Sequence, residues 1–217
     1  MTIPDAVASL ERDLKTIFGP RLQSLVAYSP VGPAGARHTS TLALVADLTA
    51  DDLRACADIV GRWHEAGLAT PLLLEGQEFE RSLDAFPLEF GAILADHVVV
   101  CGDNPFAGLD VDADDLRRAC EVQARSHLLH LREGFVETQG RSDALTDLIV
   151  RSSAPLAHLL QSVQRLEPAY TPPAALTRIA ALGHGTPLSA TEARSLFADY
   201  LNAVRTLTHT IDQWSAR

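Results

Sequence analysis

Residues 24–47, SLVAYSPVGPAGARHTSTLALVAD, contain a loop whose composition fits an anion site. The loop separates two apolar runs and is rich in glycine, proline and small polar residues. Backbone N–H groups around Gly32 and Gly35, helped by the side chains of Arg37 and His38, would bind a phosphate. A surface turn built by the same glycines and prolines is the competing interpretation. No Gly-Lys-Ser/Thr follows the glycines, so the loop is not a P-loop.

The composition excludes several classes of partner. The chain has 217 residues and 47% hydrophobic residues, enough for a substantial core. Its 28 acidic against 18 basic residues give a net charge of −10, which repels a polyanion, so we expect no nucleic-acid partner. No segment has the length and apolarity of a membrane span, and the N-terminal segment lacks the pattern of a signal peptide. We therefore expect no membrane partner and a cytoplasmic location.

The first half of the chain alternates strand-like and helical runs up to about Gly108. Such alternation is typical of a sheet covered by helices. Residues 24–28, 41–46, 69–75 and 97–101 are the predicted strands, because apolar and β-branched residues dominate them. Residues 48–67 are predicted to form one helix with Thr49 as its N-cap and Gly67 as its end.

Beyond Gly108 the strand-like runs end and four helical segments follow. Ser189 and Glu192 form a capping-box pattern at the start of the last segment, and Gly140 ends the first. We predict two domains, 1–108 with the sheet and 109–217 with an antiparallel four-helix bundle.

This arrangement of elements resembles the nucleotidyltransferase superfamily, which has the DNA polymerase β fold. The resemblance implies an α+β fold, in which a mixed sheet is followed by a helical bundle. In the family a Gly-Ser pair at the end of the first strand receives the triphosphate, and an Asp-x-Asp motif on the second strand binds two metals. Here Tyr28-Ser29 stands at the Gly-Ser position, while Ser40 and Leu42 stand at the two aspartate positions.

The replaced residues argue against catalysis. Two-metal phosphoryl transfer needs carboxylate oxygens, whereas Ser40 is a weak neutral ligand and Leu42 cannot bind a metal. Asp47 cannot replace them, since strand alternation places it on the opposite face from Ser40. We predict a catalytically inactive protein with vestigial positions Ser40 and Leu42, no metal site and no cofactor, Mg²⁺ being needed only if activity is retained. A residual nucleotide or phosphate site would use Ser29, Gly32, Gly35 and Arg37.

Three alternatives remain open at this stage. In the first alternative, the chain is a homodimeric interaction protein. The two copies would share the apolar stripe of the last helix, which ends at Trp214. Or it is an active nucleotidyltransferase whose carboxylates are relocated, for example to Glu75 or Glu78. Arg125-x-x-x-x-His130 also matches the Arg-x4-His pattern of HEPN ribonucleases, a short pattern that arises readily by chance.

Overall fold

A computed structural model of the chain describes residues 5–28, 39–182 and 188–214. These residues fall into two compact units, one that extends to Val111 and one that begins at Asp112. The change lies close to the predicted linker at Gly108. Whether 1–108 and 109–217 fold as independent domains stays a prediction.

The first unit contains a four-stranded mixed sheet of β1 (Leu22–Tyr28), β2 (Ser40–Val45), β3 (Leu72–Glu75) and β4 (His97–Gly102), in the order β3-β2-β1-β4. Strand β1 pairs antiparallel with β2 and with β4, and β2 pairs parallel with β3. A 3₁₀ turn at Gly19–Arg21 connects the first helix to the first strand. The elements in chain order are α1 (Asp5–Phe18), β1 (Leu22–Tyr28), β2 (Ser40–Val45), α2 (Ala50–Ala57), α3 (Val60–Glu65), β3 (Leu72–Glu75), α4 (Gly76–Ser82), α5 (Pro87–Ala95) and β4 (His97–Gly102).

The two faces of this sheet have separate apolar cores. Successive side chains of a strand point to opposite faces, so neighbours on β1 and β2 belong to different cores. Leu25, Ala27 and Ala43 pack with buried residues of α1, α2 and α3. On the other face, Val26 and Leu42 pack with three phenylalanines, Phe79, Phe90 and Phe106. The second face is the one on which Ser40 and Leu42 lie.

The predicted helix at 48–67 is wrong as a single element. Thr49 does cap it, with a capping box to Asp52, but the helix ends at Ala57 and a second one begins at Val60. At the break, Ile59 N–H donates to the Cys56 carbonyl at 3.1 Å, an i to i−3 bond that tightens the turn. The β-branched pair Ile59-Val60 has low helix propensity, which favours the break at this point.

The second unit contains helices and the loops that join them, with no strand among its described residues. It contains α6 (Ala113–Glu137), α7 (Ser142–Leu166), α8 (Ala174–Leu182) and α9 (Ala190–Gln213). Asp112 caps α6 through its Oδ1, and Ser189 forms the predicted capping box with Glu192. Gly140 has φ +77° where α6 and α7 are joined. The predicted α+β fold, a mixed sheet followed by a helical bundle, is confirmed.

No helix among residues 5–28, 39–182 and 188–214 combines the length and the apolarity that a bilayer-crossing segment needs.

Candidate functional site

The strand register places three polar side chains in one row across the sheet. Ser40 on β2 lies opposite Tyr28 on β1, and Tyr28 lies opposite His97 on β4. Directly opposed residues of antiparallel strands point to the same face, with Cα atoms about 5 Å apart. The row therefore consists of a hydroxyl, a phenol and an imidazole, from Ser40, Tyr28 and His97. It lies at the end of β1, after which the chain continues to Ser29. All three residues are partly buried.

The row carries no negative charge. Burial raises the pKa of the Tyr28 phenol above its usual value of 10, so the hydroxyl stays protonated at neutral pH. His97 Nδ1 lies 3.0 Å from the Ile93 carbonyl oxygen, which only accepts, so Nδ1 donates this hydrogen bond and Nε2 is the ring nitrogen left for another partner. The His97 ring packs on Phe106, with centroids 4.8 Å apart. Such a row donates and accepts hydrogen bonds but does not neutralise a divalent cation.

Leu42 is a core residue. Its side chain is 0% exposed and packs in the cluster with Val26, Phe79, Phe90 and Phe106. Phe79 contacts the other two rings edge to face, with its centroid 5.7 Å from that of Phe90 and 5.3 Å from that of Phe106. A carboxylate at position 42 would lose its hydration without gaining a partner, which costs several kcal/mol. Position 42, where the family that the sequence resembles has its second aspartate, is therefore part of the apolar core.

Glu75 and Glu78 are used for local structure. Glu75 lies opposite Val45 in the parallel pair, so it points to the α1 face and away from Leu42. Its Oε1 accepts a hydrogen bond from the Leu48 N–H at 2.9 Å. The Glu75 N–H donates to Glu78 Oε2 at 3.2 Å in a capping box at the start of α4. Neither carboxylate lies beside Ser40 as a metal ligand.

Asp47 takes part in an ion-pair cluster beyond the end of β2. Its carboxylate lies 3.8 Å from the Arg21 guanidinium, which binds Asp52 through two hydrogen bonds of 2.8 and 2.6 Å. The Arg21 guanidinium and then Thr49 lower the pKa of Asp52 strongly. This cluster fixes the start of α2 against β1. Asp47 is thus held at the other end of β2 from Ser40.

Four predicted binding residues, Ser29, Gly32, Gly35 and Arg37, lie outside the described residues, as does His38. The assignment of an anion site to this loop stays a prediction.

A pocket of about 500 Å³ opens on the Ser40 face of the sheet, at the far end of β2. Leu44, Phe79 and Leu109 give it an apolar surface, and the amides of Gln23 and Gln77 are its polar side chains. Its lining contains no acid, histidine or cysteine. Within residues 5–28, 39–182 and 188–214, no group of three or more such side chains is placed to hold a metal.

The Arg-x4-His pattern does not form a joint site. Arg125 binds Glu121 on its own helix and Asp212 on α9, at 2.9 Å to each, whereas His130 is exposed and its Nδ1 lies 3.4 Å from Glu133. Arg125 therefore has a structural role as a tie between α6 and α9. All three cysteines are free thiols, Cys56 and Cys120 buried and Cys101 half-buried, and burial raises the pKa of each.

Sequence reasoning missed His97 as a site residue and treated Tyr28 only as a replaced glycine. Neither residue belongs to a recognisable motif. The strand at 97–101 was predicted from its β-branched residues, but its neighbour in the sheet was not. Only the pairing of β4 with β1 brings His97 beside Tyr28.

The fold is α+β, a mixed sheet followed by helices, and the row beside Ser40 is made of a hydroxyl, a phenol and an imidazole without a carboxylate. Among solved structures, the chain is similar to a spectinomycin adenyltransferase from Enterococcus faecialis, determined with ATP and spectinomycin. The TM-score is 0.49 and the sequence identity 10%, over 96% of this chain and 99% of the other. A similarity of this size carries no inference about ligand or reaction. No protein-family profile matches the sequence, and no curated protein matches it significantly.

Proposed function

We propose that this chain is a non-catalytic protein of nucleotidyltransferase-like fold, with at most a residual, metal-independent nucleotide or phosphate site at the loop after β1. The observation that carries the proposal is the complete burial of Leu42 in the phenylalanine cluster. A metal-binding carboxylate is missing at this position, and the space that it would need is filled by side chains.

The neighbours of Ser40 support the same conclusion. Tyr28 lies opposite Ser40 in the sheet and His97 lies opposite Tyr28, so neither residue beside Ser40 in this row supplies a carboxylate. Glu75 points to the other face and Asp47 pairs with Arg21. Among the described residues, no group of three or more acids, histidines or cysteines is placed to hold a metal, which supports the proposed lack of two-metal transfer.

The test is an assay of nucleotidyl transfer with each labelled nucleoside triphosphate, Mg²⁺ or Mn²⁺, and a panel of hydroxyl acceptors. We expect no transfer above the background without protein. Transfer that depends on metal and is lost in a Glu75→Gln or Glu78→Gln variant with unchanged folding would overturn the proposal.

Ligand binding is measured separately by calorimetric titration with ATP, GTP, CTP and UTP. We expect no dissociation constant tighter than roughly 1 mM, and no improvement when Mg²⁺ is added. A Gly32→Trp variant is the control, because Gly32 is one of the residues predicted to bind the phosphate and a bulky side chain is expected to block such a site. A micromolar constant that Gly32→Trp abolishes would show a working nucleotide site.

A further inference from the structure

Helix α6 has a second apolar stripe that the bundle does not bury. Val122, Leu129 and Val136 are 68%, 56% and 73% exposed. They are spaced by seven residues, which is close to two helical turns, so they lie nearly in line on one face of the helix. The residues that α6 buries in the bundle lie on the opposite side and include Leu116, Cys120, Ala124, Leu128 and Leu131. The helix thus has one apolar face inside the bundle and one outside it.

This α6 stripe is not the one on which the sequence analysis based a homodimer, which is the apolar stripe of α9. The apolar residues of α9 are used within the second unit, since Tyr200, Val204, Leu207 and Ile211 are at most 1% exposed. Trp214 packs on Tyr170, with the rings 5.7 Å apart. The last helix therefore has no free apolar stripe to share. The α6 stripe is the candidate that the structure leaves at the surface.

Charged residues flank the α6 stripe asymmetrically. Arg118, Arg125 and Arg132 repeat every seven residues along one side of it. The other side has Ala119, Ser126 and Glu133 at the equivalent positions. Arg118 and Arg125 already have carboxylate partners within the chain. Among the described residues Arg132 has no ion-pair partner, and the one partner recorded for the Glu133 carboxylate is the exposed His130 at 3.4 Å.

We propose that the α6 stripe is a homodimer interface in which the α6 helices of two copies pack in parallel. A two-fold axis along the helices brings the arginine side of one copy against the Ala119, Ser126 and Glu133 side of the other. Arg132 of each copy then meets Glu133 of the second copy. In an antiparallel pair, the arginine side of one helix would face the arginine side of the other helix, so that arginines would oppose arginines. The charge pattern thus selects the parallel arrangement.

This inference does not depend on the proposed function, because the stripe is far in sequence from the loop and from the Ser40 row. It is tested with the full chain by sedimentation velocity from about 1 µM to about 1 mM protein. We expect a concentration-dependent monomer and dimer equilibrium. Leu129→Glu places a charge at the centre of the interface and is expected to weaken association at least about tenfold. A chain that stays monomeric over this range overturns the proposal.

A matched control separates the interface from a general loss of apolar surface. Leu53 on α2 is 49% exposed, and Leu53→Glu is expected to leave association unchanged. Far-UV circular dichroism and the thermal midpoint check that each variant folds. The charge pair is tested by Arg132→Glu and Glu133→Arg, each of which weakens the dimer, and by the double variant, which restores it. A dimer unaffected by Leu129→Glu would place the interface elsewhere.

Oxidative cross-linking distinguishes the two orientations. Val122→Cys and Val136→Cys are each expected to give a disulfide-linked dimer, because identical residues meet at every level of a parallel pair. In an antiparallel pair centred on Leu129, position 122 of one chain would lie about 20 Å from position 122 of the other, and the same holds for position 136. Cysteines at this distance do not form a disulfide. Absence of cross-linking in both variants, with the dimer retained, would refute the parallel arrangement.

Discussion

The imidazole of His127 and the hydroxyl of Tyr200 form a buried hydrogen bond of 2.6 Å between α6 and α9. Tyr200 donates to Ser152 Oγ at 2.9 Å, and Ser152 donates to the Ile149 carbonyl at 2.8 Å. Since the tyrosine proton is used toward Ser152, His127 Nε2 carries the proton that Tyr200 accepts. This chain of hydrogen bonds connects three helices of the second unit and leaves the imidazole neutral.

The first prediction is a loss of stability in mild acid that depends on His127. Burial, with a smaller contribution from His130, lowers the pKa of His127 to about 4 from 6.5. Between these values the unfolded chain binds the proton and the folded chain does not, so the free energy of unfolding falls as the pH drops from 6.5 to 4. The loss is about 3 kcal/mol. Urea unfolding at pH 7, 5 and 4 measures it.

His127→Gln is the informative variant for this pH dependence. Glutamine does not titrate, so the variant should lose about 3 kcal/mol less than the wild type between pH 7 and pH 4, even if it is less stable at pH 7. His209→Gln, an exposed position on α9, should keep the wild-type dependence. Identical pH profiles for wild type and His127→Gln would contradict the buried neutral imidazole.

The second prediction separates the two vestigial positions. Leu42→Ala is expected to lower the free energy of unfolding by about 2–5 kcal/mol, because it leaves a cavity among the phenylalanines. Ser40→Ala, at the partly buried strand end, is expected to cost less than about 1 kcal/mol. Chemical denaturation of both variants measures the difference. Equal and small effects would mean that position 42 is not part of the core.

The third prediction concerns the close approach of β1 and β4. Gly102 has φ +77°, and a Cβ added there would lie 1.9 Å from the Gln23 carbonyl oxygen. Gly102→Ala must displace the backbone of β1 and is expected to cost more than about 3 kcal/mol. Gly108→Ala is the control, since Gly108 has φ +75° and open space around its Cα. It should cost only about 1 kcal/mol, as read from thermal and urea unfolding.

Local sequence signals predicted two helix starts correctly. Thr49 and Ser189 cap their helices as expected, because a capping side chain bonds N–H groups only three residues away. Helix α6 ends at Glu137, earlier than predicted, and Gly140 lies in the turn before α7 with a positive φ, which glycine adopts without a steric cost. The strands of the sheet were found from their apolar and β-branched residues. Helix α5, for which no prediction was made, begins at Pro87 in a segment with no clear apolar stripe.

The loss of both carboxylates at Ser40 and Leu42 was readable from the chain alone, because residue identity decides which groups can bind a metal. The burial of Leu42 and the neighbours of Ser40 required the tertiary structure. Tyr28 and His97 are far apart in sequence and meet only because β1 pairs with β4. Likewise, both α6 stripes have helical spacing, and only the packing of α7 and α9 decided which one is buried. Periodicity identifies an apolar face, whereas its partner is set by long-range contacts that no local pattern encodes.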